Sequence, residues 1–359
     1  MKSLSNYRKI IEFVALLLLA GLIIWLFGRK LDWQKVKVSV ENSDWRLILI
    51  AIVIILLAYF WRVIRWQALL KPLTPTALRE VWIATCVGFA AVLTIGRAGE
   101  VVRPVALSMR DRRVRPAASF VTIMIERLYD TITVVLMFAI NLLWFTPKSS
   151  DVEIGWVRII GFSFLAVLLI GIAFLIWFRR RSAVFITWLD NRIKANSSLV
   201  LRIKKGLLST LEQLAAALGV LSDVKLLSIT IFWSAVLWGS VVAANLLVCR
   251  AFGISFGVSQ VIFVLGWSMV GSVVPTPGGA AGAFHAATAA ALILLGVGQN
   301  QAAAIAIILH LVDFGPAAVF GLFYFLRGDV NLARLRSLVS TEAVEHAVED
   351  EPIVIAESV

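Results

Sequence analysis

Three charged side chains lie close together inside an otherwise apolar stretch of the sequence. Glu126, Arg127 and Asp130 fall within the segment Ala117–Phe145, which is long enough to cross a bilayer as a helix. At helical spacing Glu126 and Asp130 share a face, and Arg127 adjoins it. Because charges inside a membrane span are costly, they usually face the protein interior, where they are paired or functional. The pattern predicts either a structural ion-pair cluster or part of a transport site.

A second polar pair lies in the last long apolar run. His310 and Asp313 are three residues apart, so they share one helix face. A histidine beside a carboxylate can relay protons at physiological pH. The same pair can equally tie two helices together through hydrogen bonds, and the sequence favours neither interpretation.

The first of two glycine-containing turns is the segment Gly96–Pro104, with Arg97, Gly99, Glu100 and Arg103. Its glycines allow a tight turn and close approach of a ligand to the backbone. Arg97 and Arg103 can each grip a phosphate with two parallel hydrogen bonds. Glu100 could orient either arginine or meet a cationic headgroup. The alternative is an ordinary cytoplasmic loop whose arginines contact lipid headgroups.

The second turn is the segment Pro275–Gly282, which contains Pro277, Gly278 and Gly279. A proline breaks the incoming helix and suits the first turn of the next one. The new helix then begins with free backbone N–H groups, which can bind an anion. His285 lies one to two turns along it. The alternative is a structural kink that only lets helices pack.

The composition is that of an integral membrane protein. Hydrophobic residues make up 60% of the 359 residues and charged residues 16%, against about 25% in a soluble domain. The basic residues behind the net charge of +12 stand in short loops, where they set topology and meet anionic lipids. We interpret Arg62 and Arg65, at the end of one apolar run, as snorkelling side chains. Nucleic-acid binding and a soluble enzyme are excluded. The apolar runs are Ile10–Phe27, Leu47–Trp61, Ile159–Phe178, Leu226–Cys249 and Ala302–Leu326.

The distribution of basic residues predicts the topology. Arg97–Arg115, Arg179–Lys205 and the residues after Leu326 are rich in arginine and lysine, so they and both termini are predicted to be cytoplasmic. Glu80–Ile95 and Val258–Val274 are too short to cross alone, and we interpret each as one arm of a re-entrant hairpin. The predicted fold is an all-α polytopic membrane protein with about six transmembrane helices and two re-entrant hairpins.

We predict a single transmembrane domain over residues 1–336. Residues 179–225 would form a cytoplasmic amphipathic linker between its halves, and residues 337–359 an acidic, disordered tail.

An internal repeat relates the two hairpin regions. A shift of 183 residues places Gly88 on Gly271 without a gap, and it also places Asp130 on Asp313. The topology runs the two halves in opposite directions, which makes the repeat inverted. Transporters with this symmetry bind substrate near the midplane. Chance identity in an apolar chain is the alternative.

Several kinds of chemistry have no motif in the sequence. The chain lacks a phosphate-binding GxxxxGK[ST] loop and the signatures of serine hydrolases and zinc proteases. Cys86 and Cys249 lie inside apolar segments and are interpreted as buried hydrophobic side chains. We expect no catalytic residue, metal or cofactor, and no enzymatic activity.

The motifs together resemble the flippase-like family named for the lysylphosphatidylglycerol synthase transmembrane region. The likeness covers roughly residues 10–326. It rests on an R-x-G-E…R-P pattern, an E-R-x-x-D pattern and a P-x-P-G-G pattern, which here are Arg97, Gly99, Glu100, Arg103 and Pro104; Glu126, Arg127 and Asp130; and Pro275, Pro277, Gly278 and Gly279.

The resemblance implies a polytopic domain that moves lipids or lipid-linked headgroups between leaflets. Some relatives carry a fused aminoacyl transferase, and because this chain stops after its last span we expect no synthase activity. Many members have glutamate where this chain has His285, which argues against a cationic, aminoacylated headgroup.

The prediction for function is an inner-membrane flippase that moves an anionic, phosphate-bearing amphiphile without hydrolysing ATP. One alternative is a non-transporting subunit that docks a lipid-synthesising enzyme or glycosyltransferase through residues 179–225. Another is a membrane-embedded enzyme that modifies lipids with His310 and Asp313. The sequence leaves a homo-oligomer open.

Overall fold

The computed structural model describes residues 25–145, 155–193, 224–274 and 280–328, together with residues 21–23 and the single positions 18, 204, 208 and 278. Helices dominate these ranges, and no strand occurs in them. The predicted all-α class is confirmed.

Ten α-helices and one 3₁₀ segment have bounds within the described part of the chain and are numbered here in chain order; residues 18, 21–23, 25–28, 204 and 208 are also helical. They are α1 Trp33–Glu41, α2 Trp45–Leu70, α3 Leu78–Ile95, the 3₁₀ segment Gly96–Val101, α4 Val102–Arg110, α5 Pro116–Trp144, α6 Gly155–Arg192, α7 Val224–Ala251, α8 Val258–Ser272, α9 Ala281–Leu294 and α10 Gln299–Leu326.

Among the helices that the structure describes, three are long and apolar enough to cross a membrane by length and composition: α2, α7 and α10. Their 26 to 28 residues extend about 40 Å, more than the roughly 30 Å of a hydrocarbon core. Helix α5 has 29 residues and carries the charged residues Glu126, Arg127 and Asp130. The bounds of α5 agree with the predicted segment to within one residue.

Two pairs of shorter helices fold back on themselves. Helix α8 packs along α9, and α3 packs against both the 3₁₀ segment and α4. Glycines make both contacts close. A Cβ on Gly88 in α3 would lie 2.7 Å from the Cβ of Arg103, and one on Gly271 in α8 would lie 2.5 Å from the carbonyl oxygen of Ala283.

A long helix from each half of the chain packs against the short helices of the other half. Helix α2 packs along α7, α3 packs on α10, and α8 packs on α5. Gly321 of α10 faces the backbone of Cys86 in α3, while Gly266 of α8 faces the ring of Phe138 in α5. Each helix pair is therefore held by the long helix of the other half of the chain.

Helix α6 extends beyond the predicted apolar span. It runs to Arg192 through a non-helical residue, Arg181, with φ −126° and ψ 17°. The rings of Phe178 and Phe185 meet across this kink with centroids 5.7 Å apart. The first residues of the predicted linker 179–225 are thus a helical continuation of the span. The amphipathic part of that linker, most of the first predicted span and the tail 337–359 lie outside the described residues.

Substituting alanine for Gly99 is expected to lower the free energy of unfolding by about 1–3 kcal/mol, because a Cβ there would overlap the backbone of Ala91 and Val92. SDS titration in mixed micelles would measure the change. Gly239→Ala is the matched control, since nothing lies within 4 Å of its Cβ position. Equal stability of the two variants would contradict the close packing.

Candidate functional site

Four arginines and two acids meet in the interior of the helical bundle. Arg62 and Arg65 lie one turn apart on α2, while Glu126, Arg127 and Asp130 come from α5. Arg103 joins them from the first turn of α4. We call these six residues the arginine cluster. Of their side chains only Arg127 is more than about a tenth exposed, at 31%.

One oxygen of Glu126 is the centre of the cluster. Its Oε1 accepts hydrogen bonds from Nη1 of Arg103 at 2.7 Å and from Nη2 of Arg127 at 2.8 Å. Arg62 Nη1 and Arg65 Nη2 lie 3.3 and 3.6 Å from the same oxygen. The other oxygen, Oε2, is buried without a hydrogen-bond partner among the described residues.

Asp130 receives the remaining contacts. Its Oδ2 lies 2.9 Å from Nη1 of Arg62 and 3.3 Å from Nη2 of Arg127. Its Oδ1 lies 2.8 Å from Nη2 of Arg65 and accepts a hydrogen bond from the indole N–H of Trp238 at 3.2 Å. Asp130 therefore ties α2 and α7 to α5.

The cluster holds more positive than negative charge. Four guanidinium groups face the two carboxylates of Glu126 and Asp130. Glu100, half-buried in the 3₁₀ segment, interacts electrostatically with Arg127, and counting it still leaves an excess of one cation. Several buried donors have no hydrogen-bond partner in the described structure: Nε of Arg65, Nε and Nη2 of Arg103, and Nε of Arg127.

The orientation of Arg103 is fixed by its surroundings. Its guanidinium carbon lies 4.0 Å from the centroid of the Trp66 ring, a favourable cation–π distance. The indole N–H of Trp66 donates to Oγ1 of Thr122 at 2.9 Å, which holds the ring in place. Gly88 leaves room for the Arg103 backbone beside α3. The Nε–Nη2 edge of this guanidinium has no hydrogen-bond partner among the described residues.

The interpretation of Arg62 and Arg65 as snorkelling side chains is wrong. Their side chains are only 11% and 0% exposed, and both point into the cluster. Oγ of Ser234 on α7 accepts a further hydrogen bond from Arg65 Nη1 at 2.7 Å. The sequence carried a signal for this arrangement: Glu126 and Asp130 outnumber their neighbour Arg127, so a buried cation had to come from another helix.

A second group of polar side chains lies on α10 and on the helices that pack against it. The rings of His285 and His310 are 4.9 Å apart, and His310 also packs beside Phe314. Oδ1 of Asp313 and Oδ1 of Asn245 are buried, and neither has a hydrogen-bond partner in the described parts of the chain. Sequence reasoning missed Asn245, although the 183-residue shift places it on Arg62.

Helix α2 links the two groups. The hydroxyl of Tyr59 donates to the backbone carbonyl of Asp313 at 2.8 Å, and Arg62 follows Tyr59 by one turn. No three His, Cys, Asp or Glu side chains come together as metal ligands within the described ranges.

The predicted turns are described only in part. Arg97 lies in the 3₁₀ segment, but its side chain is outside the described structure, as are Pro277 and Gly279. Gly278 has φ +77°, a conformation that favours glycine. Gly99 packs against the backbone of α3.

Comparison with known protein families identifies a relationship that covers most of the chain. The family model of the lysylphosphatidylglycerol synthase transmembrane region matches residues 13–321. No curated protein matches the chain. The match and the apolar helices identify a multi-pass membrane protein. The chain belongs to the family of the lysylphosphatidylglycerol synthase transmembrane region.

Proposed function

We propose that this protein is a flippase that carries a phosphate-bearing amphiphile between the leaflets of the inner membrane without hydrolysing ATP. The phosphate would bind the arginine cluster, and the acyl or prenyl tails would stay in the bilayer. One observation carries the proposal: the buried cluster has more guanidinium groups than carboxylates, and several of its donors have no hydrogen-bond partner among the residues that the structure describes.

Electrostatics argues for an anionic ligand. Uncompensated charge is costly when it is removed from water, and each orphaned donor adds its own desolvation cost. A phosphate monoester carries about −1.5 to −2 charges at pH 7 and a phosphodiester one, which is the range the excess requires. The Nε–Nη2 edge of Arg103 offers the two parallel donors that phosphate oxygens accept.

The packing supports the predicted inverted repeat. Under the 183-residue shift the start of α5 at Pro116 falls on Gln299, the start of α10. The contact of α3 with α10 maps onto the contact of α8 with α5, and Gly88 maps onto Gly271. In such an arrangement the short pairs α3–α4 and α8–α9 are the re-entrant hairpins, since neither is long enough to cross twice.

The basic loops support cytoplasmic termini. Both the α4–α5 loop and the end of α6 would face the cytoplasm by the positive-inside rule. Trp177 and Trp188 beside the α6 end suit the membrane interface, where amphipathic rings concentrate. The arginines concerned are Arg112, Arg113, Arg115, Arg180, Arg181 and Arg192.

Liposomes with fluorescent lipids in both leaflets test the transport itself. A membrane-impermeant quencher removes only the outer-leaflet signal unless lipids are exchanged. Purified protein should carry labelled phosphatidic acid or phosphatidylglycerol, so quenching should pass one half. A labelled neutral glycolipid should stay at one half, because it lacks a phosphate for the arginines.

Quenching that stops at one half for every phosphate lipid, including a polyprenyl phosphate, would overturn the proposal. That outcome would favour the non-transporting subunit that docks a lipid-synthesising enzyme. Equal transport of the glycolipid would instead show that translocation does not depend on the binding of a phosphate to the arginine cluster.

A further inference from the structure

Two buried oxygen atoms in the second half of the chain accept no hydrogen bond from any described residue. They are Oδ1 of Asn245 on α7 and Oδ1 of Asp313 on α10. Asn245 is only 3% exposed. Buried acceptors are nearly always satisfied, so two unsatisfied oxygens on helices that pack together indicate a missing hydrogen-bond donor or cation.

The first half of the chain shows which partner the equivalent position has. The 183-residue shift places Asn245 on Arg62 and Asp313 on Asp130. In the first half, Nη1 of Arg62 lies 2.9 Å from Oδ2 of Asp130. Asparagine at the second position supplies an oxygen in place of a fixed cation.

The second half of the chain also lacks arginines at the positions equivalent to the other two partners of Asp130. The shift places His310 on Arg127 and Val248 on Arg65. The described residues contain no Lys or Arg in an ion pair with Asp313, whereas Asp130 has three arginine partners. A carboxylate in this position needs a cation that is not part of the side-chain framework.

The backbone hydrogen bonding of α10 is irregular next to Asp313. Pro316 lies inside α10 and has no N–H group, so it cannot donate to the carbonyl of Val312, the residue before Asp313. The hydroxyl of Tyr59 lies beside the Asp313 backbone, where it donates to the carbonyl. The turn of α10 that carries Asp313 thus contains a backbone carbonyl without its usual helical donor and one held by Tyr59.

We propose that Asp313 and Asn245 bind a monovalent coupling cation, either a proton or a sodium ion. The role of this cation rests on the proposed transport function. The sequence has no nucleotide-binding motif that could drive transport, and binding of the cation would supply the driving force instead. A single carboxylate with neutral oxygens fits a charge of +1. The proton would sit on a carboxylate oxygen of Asp313 and donate to Asn245, and sodium would be ligated by both side chains.

Other titratable groups pack around the same helix. Tyr59 and Arg62 come from α2, Cys86 from α3 and His285 from α9, while His310 lies on α10 itself. The buried residues of α7 include no charged side chain. Because these groups are present in both wild type and Asp313→Asn, the difference between the two proteins isolates the carboxylate.

Stability in detergent tests cation binding without any transport. A cation that binds only the folded state raises its stability as the cation concentration increases. For sodium, the thermal midpoint of wild type should rise with NaCl relative to equal choline chloride. If the cation is a proton, the thermal midpoint of wild type should rise relative to that of Asp313→Asn as the pH falls from 8 to 5. Asp313→Asn should lose either response, and Asp111→Asn, a substitution just after the end of α4, should keep it.

Asn245→Leu, which keeps the side-chain shape and removes the oxygen, should weaken the same response and provides the test if Asp313→Asn fails to fold. The inference is overturned if neither sodium nor pH separates wild type from these variants. In proteoliposomes, an imposed sodium or pH gradient should accelerate wild-type lipid transport at least severalfold. Cation-dependent stability without lipid transport would contradict the proposed function alone, and transport with no cation response would contradict the coupling site alone.

Discussion

Replacing Glu126 with glutamine is expected to lower the free energy of unfolding by about 3–5 kcal/mol, the usual cost of removing one partner from a buried ion pair. Glutamine preserves the shape of the side chain, so packing contributes little to the change. Oε1 of Glu126 lies within 3.6 Å of four guanidinium groups. Loss of its charge would leave Arg103 with no carboxylate partner among the described residues and would increase the excess of buried cations.

SDS titration of the purified protein in mixed micelles would measure this loss. Asp111→Asn is the matched control, because hydrogen bonds from the Arg113 side chain lower the pKa of Asp111 and keep it ionised at neutral pH. The Arg113 side chain of that pair is 69% exposed, so solvent screens the ion pair and its removal should cost far less stability than the loss of the Glu126 charge. Similar losses for Glu126→Gln and Asp111→Asn would contradict a buried electrostatic role for Glu126.

A double substitution separates electrostatics from other causes. Adding Arg103→Met to Glu126→Gln removes one of the uncompensated cations and should restore part of the lost stability. If the two changes are simply additive, the guanidinium of Arg103 is not coupled to Glu126.

The charged residues of α5 were within reach of sequence reasoning, because few explanations exist for three ionised groups in one membrane span. Their partners were harder to predict. Arg62 and Arg65 lie near the end of an apolar run, where a long basic side chain can reach the interface as readily as the interior. Hydropathy does not distinguish the two directions. Only the packing of the four helices that meet at the cluster shows that both side chains point to the interior.

The internal repeat relates polar residues as well as glycines. The pairing of Asp130 with Asp313 identified two equivalent carboxylates, but the same shift also pairs Arg62 with Asn245. That second pairing becomes meaningful only once Arg62 is known to bind Asp130. An asparagine in an apolar helix carries no signal alone, since its role depends on which side chain it replaces.

The turn motifs also needed the structure. Arg97 and Arg103 are equally suited to phosphate by residue type and spacing. The structure buries Arg103 against Trp66 and Glu126, so Arg103 becomes the residue on which the transport proposal is best tested.

Arg103→Lys is expected to slow the transport of phosphate lipids roughly 100-fold, equivalent to about 2–3 kcal/mol. Lysine keeps the positive charge beside Glu126. It lacks the planar guanidinium that stacks on Trp66 and the Nε–Nη2 edge that points away from Glu126. The initial rate of quenching in proteoliposomes would measure the effect. Arg79→Lys, an exposed arginine of α3, is the matched control and should transport at the wild-type rate.

The pattern of results assigns the role of the guanidinium. A slow but stable Arg103→Lys protein would show that bidentate geometry is needed in addition to charge. Wild-type transport by Arg103→Lys together with slow transport by Arg103→Met would mean that charge alone attracts the headgroup. Wild-type transport by both variants would place the phosphate elsewhere, and the excess charge of the cluster would then be structural. Within the described part of the chain, Arg103 is the member of the cluster with a single carboxylate partner and with two donor atoms that make no hydrogen bond, so its substitution distinguishes these outcomes best.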